Sequence, residues 1–445
     1  MGPDAKMTDV LSRAPARREG LKSALARAPV TAAVDLGASK VACFIMKPDG
    51  VNKAERTLNA CGVGYVQSHG VRGGAVVDID AAIQSIALAV ERAETVAGLS
   101  VHGVTISCSL GQQSSLTVRA QVSLGARPIS DLDLSRALGM ALAQVRLNGR
   151  RVIHLLPIAW SVDSQRGIRD PRAMFGKVLG LELLVVHMNE SIFRTLGHCV
   201  ERAHLSFEGV VAAPFASALS ALEDDEMDLG SICIDMGGGS TSAAVFAGGS
   251  LVHIDSLAVG GHHVTQDIAR GFQTSVTGAE RLKTLYGSAI ASTNEDREMI
   301  EAPPRGDDPG AGPVTAPRSL LKGIIAPRVE ETLELLRDRL KASGAPMEPG
   351  ASVILTGGAS QLVGARETAV RVFDRPVRLG RPRRAPHLAD SASGPAFCSA
   401  TGVLHRAAFG PREAASGSLN GRARRQDGPR GNPISQITGW LRDNL

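Results

Sequence analysis

Ala33-Val34-Asp35-Leu36-Gly37-Ala38-Ser39-Lys40-Val41 recurs as Cys233-Ile234-Asp235-Met236-Gly237-Gly238-Gly239-Ser240-Thr241. Each copy reads as an apolar strand, an Asp, one apolar residue, a Gly among small residues, and a second strand. The copies lie about 200 residues apart, too far for a solenoid repeat, so one is expected in each domain of a duplicated pair. A tight turn of small residues lets backbone N–H groups approach phosphate oxygens, and such a nest binds anions. An Asp at the strand end can hold water on a Mg2+ that bridges phosphates. Either copy alone reads better as an ordinary β-hairpin with an Asp-Gly type turn. The pair, each after an apolar strand, favours two loops gripping a polyphosphate from both sides. The candidate phosphate residues are Asp35, Gly37, Ala38, Ser39 and Lys40, then Asp235, Gly237, Gly238, Gly239, Ser240 and Thr241. Asp35 and Asp235 are the candidate Mg2+ holders, through water.

A third glycine site follows the strand Val353-Ile354-Leu355, as Thr356-Gly357-Gly358-Ala359-Ser360. Gly357, Gly358 and Ala359 permit close approach to a flat ring or a ribose, although alone they mark only a strand-to-helix turn. GxxxxGK[ST] is absent, and so is GxGxxG after a strand, so P-loop and Rossmann readings lose support.

A chain of 445 residues exceeds what one hydrophobic core usually supports, so at least two domains are expected. Aromatic residues make up only 3%, so the core must be built mainly of Ala, Val, Leu and Ile. The net charge of +5 is mild but uneven. Arg13, Arg17, Arg18, Lys22 and Arg27 crowd one end, and Arg422, Arg424, Arg425 and Arg430 the other. Such tails suit an anionic surface or serve only solubility. None of the six cysteines forms a CxxC pair, and they read as small buried hydrophobes in a reducing compartment. Neither a signal peptide nor an apolar run long enough to span a bilayer is visible, so a cytosolic body is expected.

Strand and helix patterns alternate from Val30 onward, which is α/β architecture. Strands are expected at Val30–Asp35, Val41–Lys47, Val101–Cys108, Val152–Leu156, Leu181–His187 and Ser352–Leu355, with strand, turn and strand over Ser231–Phe246. Helices are expected at Asp80–Ala97, Ser191–Ala203, Ala213–Glu223, Val264–Arg270 and Ile324–Leu340. Residues 292–317 read as a surface loop.

The order Asp-Gly loop, Asp-Gly loop, strand-Gly-Gly-helix resembles the ATPase fold of actin, the heat-shock chaperones and sugar kinases. Within it, several stretches are similar to the bacterial cell-division FtsA family. They are Gly260-Gly261 with Val264-Thr265-Gln266-Asp267-Ile268-Ala269, and Gly278-Ala279-Glu280-Arg281-Leu282-Lys283-Thr284-Leu285-Tyr286-Gly287. Arg318-Ser319-Leu320 with Ile324 to Glu331, and Ile168, Asp170-Pro171 and Gly176, complete the set. The resemblance implies an actin-like duplicated fold, with two domains around a cleft that takes ATP and Mg2+. It implies that Glu280 and Lys283 flank the adenosine, and that Arg318 and Arg328 receive the C-terminal peptide of the tubulin-like FtsZ. Without the resemblance, these are a surface Glu/Lys pair and two solvated arginines.

The implied division of the chain is a flexible basic tail over 1–29 and a first core over 30–80, 181–230 and 391–409. An FtsA-type inserted subdomain spans 81–180. A second core spans 231–262 and 345–390, and an adenosine- and FtsZ-facing subdomain 263–344. A Gly/Arg-rich linker covers 410–432, and an amphipathic helix 433–445. In that helix Asn432-Pro433 is a good start, and Ile434, Ile437, Leu441 and Leu445 share one face flanked by Trp440. Too short to span a bilayer, it suits the interface of an anionic inner membrane.

One departure bears on turnover. Where MreB and the chaperones begin the helix between the loops with Glu-Pro, this chain has Ala213-Pro214. The loss of a water-positioning carboxylate predicts slow or absent hydrolysis. His262-His263 lack a second ligand cluster, so helix-start or surface histidines are expected rather than a metal site. The expected function is a division protein that tethers FtsZ at the cytoplasmic face of the inner membrane, at the division site. It would self-associate into filaments and contact other division proteins, with no nucleic-acid partner. A metabolic kinase of the same superfamily and a PilM-like pilus-assembly adaptor are the alternatives. The kinase needs a catalytic Asp in a substrate cleft, and neither alternative explains the terminal helix.

Overall fold

Runs of Ala, Val, Ile and Cys too short for helices build the centre of each lobe. In the computed structural model, residues 30–49, 57–125, 127–290, 297–304, 313–383 and 390–409 are described. The expected tail 1–29, linker 410–432 and amphipathic helix 433–445, with Ile434, Ile437, Trp440, Leu441 and Leu445, lie outside these residues.

The chain opens with β1 (Thr31–Leu36), β2 (Lys40–Asp49), β3 (Thr57–Gln67), the small hairpin β4 (Val71–Arg72) and β5 (Ala75–Val76), α1 (Ile79–Ala97) and β6 (Gly103–Cys108). Asp78 caps α1 by accepting from the Ala81 N–H at 3.0 Å, and Gly98 ends it with φ +63°. There follow β7 (Ser114–Ser123), α2 (Asp131–Gln144), β8 (Arg150–Val162), β9 (Gln165–Ile168) and β10 (Val178–Asn189). The chain then returns through α3 (Glu190–Arg202), β11 (Ser206–Ala212), α4 (Ala213–Ala221) and α5 (Asp224–Leu229).

The second half holds β12 (Ser231–Met236), β13 (Thr241–Ala247), β14 (Ser250–Leu257), α6 (Gly261–Gly271), α7 (Val276–Tyr286), β15 (Met299–Ala302), β16 (Val314–Pro317) and α8 (Arg318–Ala342). It closes with β17 (Ser352–Thr356), α9 (Ala365–Phe373), β18 (Val377–Leu379) and α10 (Cys398–Phe409).

The two principal sheets repeat one plan. The first runs β3-β2-β1-β6-β11 and the second β14-β13-β12-β17-β18. In each, the central strand is antiparallel to the strand that follows it and parallel to its other neighbour. Duplication is therefore visible in strand order as well as in sequence.

Between these lobes β7, β10, β8 and β9 form a separate antiparallel sheet covered by α2, with its own core around Trp160, Leu134 and Leu179. The expected insertion over 81–180 differs from this at both ends. α1 and β6 complete the first lobe's sheet and core, whereas β10 pairs along its length with β7 and β8. Serine hydroxyls tie the insertion to the second lobe: Ser115 Oγ accepts from the Ile254 N–H at 2.8 Å, and Ser256 Oγ donates to the Gln113 carbonyl at 2.8 Å.

Residues 292–317 are not wholly loop, because Met299–Ala302 pairs antiparallel with Val314–Pro317. The helix expected from Ile324 begins at Arg318 and continues through Pro327. Helices α6 to α8 share one apolar core with the second sheet. The cysteines are free, and Cys43, Cys108, Cys199, Cys233 and Cys398 are buried. Burial pushes the Cys43, Cys108 and Cys398 thiols up to about 12, so they pack as inert hydrophobes.

Candidate functional site

Both Asp-Gly loops close with the same turn. The Gly37 N–H donates to the Lys40 carbonyl at 3.0 Å, and the Gly237 N–H to the Ser240 carbonyl at 2.9 Å. Register is matched too: Leu36 faces Val41 as Met236 faces Thr241. The loops meet tip to tip. A Cβ on Gly239 would stand 2.8 Å from the Ala38 Cβ, and one on Gly238 would overlap Ser39 Oγ. Behind the second loop lies Gly260, where a Cβ would fall 2.6 Å from the Gly237 carbonyl oxygen. Only small residues allow three backbone segments so close.

Asp35 and Asp235 end the central strands of the two sheets and line one cleft of about 540 Å3. Lys40 Nζ donates to Asp35 Oδ2 at 3.0 Å, and Ser217 Oγ on α4 donates to Asp235 Oδ2 at 2.6 Å. Burial pushes the Asp235 carboxyl up to about 6, and the neighbouring Asp35 charge adds to the rise against the Ser217 bond. Two carboxylates competing for one water-poor corner are a donor set suited to a hard divalent cation. Gly357 has φ +84°, and a Cβ there would overlap Asp235 Oδ1. The third glycine site therefore shapes the same corner. Gly358 opens a 3-10 turn, Gly358–Gln361, rather than a continuous helix, and Ala359 sits in it.

Glu280 and Lys283 stand one turn apart on α7 and line the same cleft, where Lys283 Nζ donates to the Gly261 carbonyl at 3.3 Å behind the second loop. Lys283 Nζ donates to Glu280 Oε2 at 2.7 Å and to Thr265 Oγ1 at 2.8 Å. Thr265 Oγ1 donates in turn to Glu280 Oε2 at 2.6 Å. Burial opposes ionisation of Glu280, but the Lys283 and Thr265 bonds prevail and hold its carboxyl below the usual value. Val329, Leu362 and Val363 add apolar surface to the lining of the same cleft.

The cleft thus brings together all the loop residues expected to hold phosphate, with Glu280, Lys283, Gly357, Gly358 and Ala359. Ala213, at the start of α4, faces it without a carboxylate. Arg318 and Arg328 lie elsewhere, on α8. Arg328 Nε donates to Asp267 Oδ2 and its Nη1 to Glu331 Oε2, both at 2.6 Å. Arg318 Nε donates to the Tyr286 carbonyl at 3.1 Å and its Nη1 to Glu298 Oε2 at 3.0 Å. Sequence reasoning missed Ser217, whose signal is a hydroxyl one turn into a helix entering the cleft. It also undervalued His262, which starts α6 as expected but lines the cleft.

Comparison with known proteins gives this geometry a family. The family model described as cell division protein FtsA matches residues 232–402. The model described as the SHS2 domain inserted in FtsA matches residues 111–187, the stretch that folds as β7 to β10. Cell division protein FtsA of Rhizobium meliloti is 43% identical over 384 residues, 85% of this chain and 87% of that one. The chain belongs to the FtsA family. FtsA of Pseudomonas aeruginosa is 31% identical over 93% of this chain and 97% of its own length. FtsA of Escherichia coli K12 is 30% identical over 92% and 96% respectively. Among solved structures, one titled PilM-PilN type IV pilus biogenesis complex superposes with a TM-score of 0.59 at 17% identity. It covers 85% of this chain and 98% of its own. The fold is actin-like, two duplicated lobes about a cleft, with the FtsA-type insertion between them.

Proposed function

We propose that this FtsA-family chain closes its two lobes on Mg-ATP and uses the bound state to tether FtsZ to the cytoplasmic face of the inner membrane at the division site. The observation that carries the nucleotide reading is the pair of matched Asp-Gly loops facing each other across one cleft that the Glu280–Lys283 pair also lines. Loop N–H groups would hold phosphate oxygens, while Glu280, Lys283 and the apolar lining would receive the nucleoside. Asp35 and Asp235 would hold Mg2+ through water, and the ion when bound supplies positive charge between the phosphates. Ala213 offers no base at the helix start, so turnover is slow and nucleotide works as a clamp between lobes.

The segment 433–445 would lie in an anionic membrane interface, with the Arg-rich stretch before it adding attraction. Arg318 and Arg328 on α8 would meet the acidic C-terminal peptide of FtsZ by exchanging their internal partners for its carboxylates. Self-association into filaments would present many copies of the membrane segment at once. Co-sedimentation with anionic liposomes, with and without FtsZ and Mg-ATP, tests this. The chain should pellet and carry FtsZ with it, and FtsZ left in the supernatant beside pelleted chain would contradict the tether.

A further inference from the structure

A side-chain bond joins the first phosphate loop to the start of α6, which lies behind the second loop. Ser39 Oγ lies 2.9 Å from His262 Nε2, a contact between lobes made by residues 223 positions apart. The imidazole is fixed to the second loop from behind, because the His262 N–H donates to the Gly238 carbonyl at 2.8 Å and the Gly261 N–H to the Gly237 carbonyl at 3.0 Å. Its Nε2 would stand 3.1 Å from a Cβ on Gly238. The ring edge therefore crosses the tip of the second loop and reaches the tip of the first.

Two features make this bond more than packing. It sits inside the cleft, where both residues are lining groups. Ser39 is exposed at the tip of the first loop, against Gly238 of the second, so a phosphate oxygen gripped between the tips would take the place of this contact. Burial and the nearby Lys283 charge hold the His262 ring below the ordinary histidine value, so it is neutral at pH 7 and carries one N–H. Arg72, on β4 beside the loops, makes no ion pair among the described residues and adds positive potential on the same side.

We propose that the Ser39–His262 bond is a latch which a bound polyphosphate replaces, entering between the two loop tips so that Ser39 Oγ–H and a His262 ring N–H each donate to a phosphate oxygen instead of sharing one hydrogen bond between them. The inference rests on the nucleotide reading above and deepens it: His262 recognises the phosphate chain and not the nucleoside. A neutral donor to an ionised phosphate forms one of the stronger classes of hydrogen bond, whereas the latch it gives up is a neutral pair. Exchange is therefore favourable only when a phosphate is present.

The test uses the full chain and three probes, Mg-ATP, Mg-ADP and adenosine, titrated by calorimetry or by fluorescent-nucleotide competition. His262→Ala should weaken both phosphorylated ligands about 10-fold or more and leave adenosine unchanged. His262→Gln, which keeps a donor at similar reach, should recover most of the loss. Equal weakening of all three ligands by His262→Ala would reduce His262 to a structural role and overturn the inference, and so would no weakening of any. A wild-type chain that binds adenosine as tightly as Mg-ATP would instead overturn the phosphate grip on which the inference stands.

Discussion

At the scale of single residues, the site is a compromise between folding and binding. Asp235 is held in a corner that resists its charge, with Gly357 pressed against one carboxylate oxygen and Ser217 bonded to the other. Its pKa rises from 3.8 to about 6. A carboxyl raised on folding stabilises the native state below its unfolded pKa, and that contribution is lost as pH rises from about 4 through about 6. The metal-free, nucleotide-free chain should therefore lose stability across that window. Asp235→Asn removes the penalty, and denaturant unfolding in chelator should show it more stable than wild type by roughly 1–3 kcal/mol at pH 7.5. At pH 4 the two should match. A flat difference across pH would mean that Asp235 is not strained by ionisation. The loops and their residues were legible in sequence, because strand, Asp, Gly and small residues are contiguous. His262 was not, since its meaning depends on Ser39, 223 positions away.

At the scale of elements, the arginines of α8 have a structural duty that spacing alone did not reveal. Arg328 joins α8 to Asp267 on α6 and to Glu331 one turn on, and Asp267 holds its guanidinium charged more firmly than usual. Arg328→Glu should thus lower the melting temperature as well as any affinity for an acidic peptide. Pairing it with Asp267→Arg restores opposite charges across the contact and should recover much of the stability. If the doubly substituted chain melts as wild type and still fails to bind an FtsZ C-terminal peptide in fluorescence anisotropy, Arg328 is a docking residue. If binding returns with stability, its part is structural. Element boundaries in the insertion were hard to read for a related reason. Amphipathicity shows that α1 buries Ile86 and Val90, but not which sheet receives them. The short pair β15 and β16 stayed hidden because each strand has four residues in a Pro- and Gly-rich setting.

At the scale of the whole molecule, the matched sheets make the cleft the seam between two copies of one plan, with the insertion bonded across it to β14. Were the lobes to close on nucleotide as proposed, Ser115 and Ser256 would link that movement to the insertion. In the proposed membrane contact of 433–445, a few apolar side chains would contribute roughly 1.5–3 kcal/mol each at most. Ordering so short a segment would offset much of that, so on this proposal a single copy would bind weakly and an array firmly. Trp440→Glu, or deletion from Ile434, should release the chain from anionic liposomes while leaving nucleotide affinity unchanged. Continued pelleting of both variants would place the anchor elsewhere.

The central claim is that two facing loops grip a polyphosphate, and calorimetric titration of the full chain with Mg-ATP tests it most directly. Wild type should bind one nucleotide per chain. Gly238→Asp, whose side chain would collide with Ser39 and bring a carboxylate to the phosphate position, should abolish the heat of binding while the protein remains folded by circular dichroism. Undiminished Mg-ATP affinity in Gly238→Asp would contradict the account.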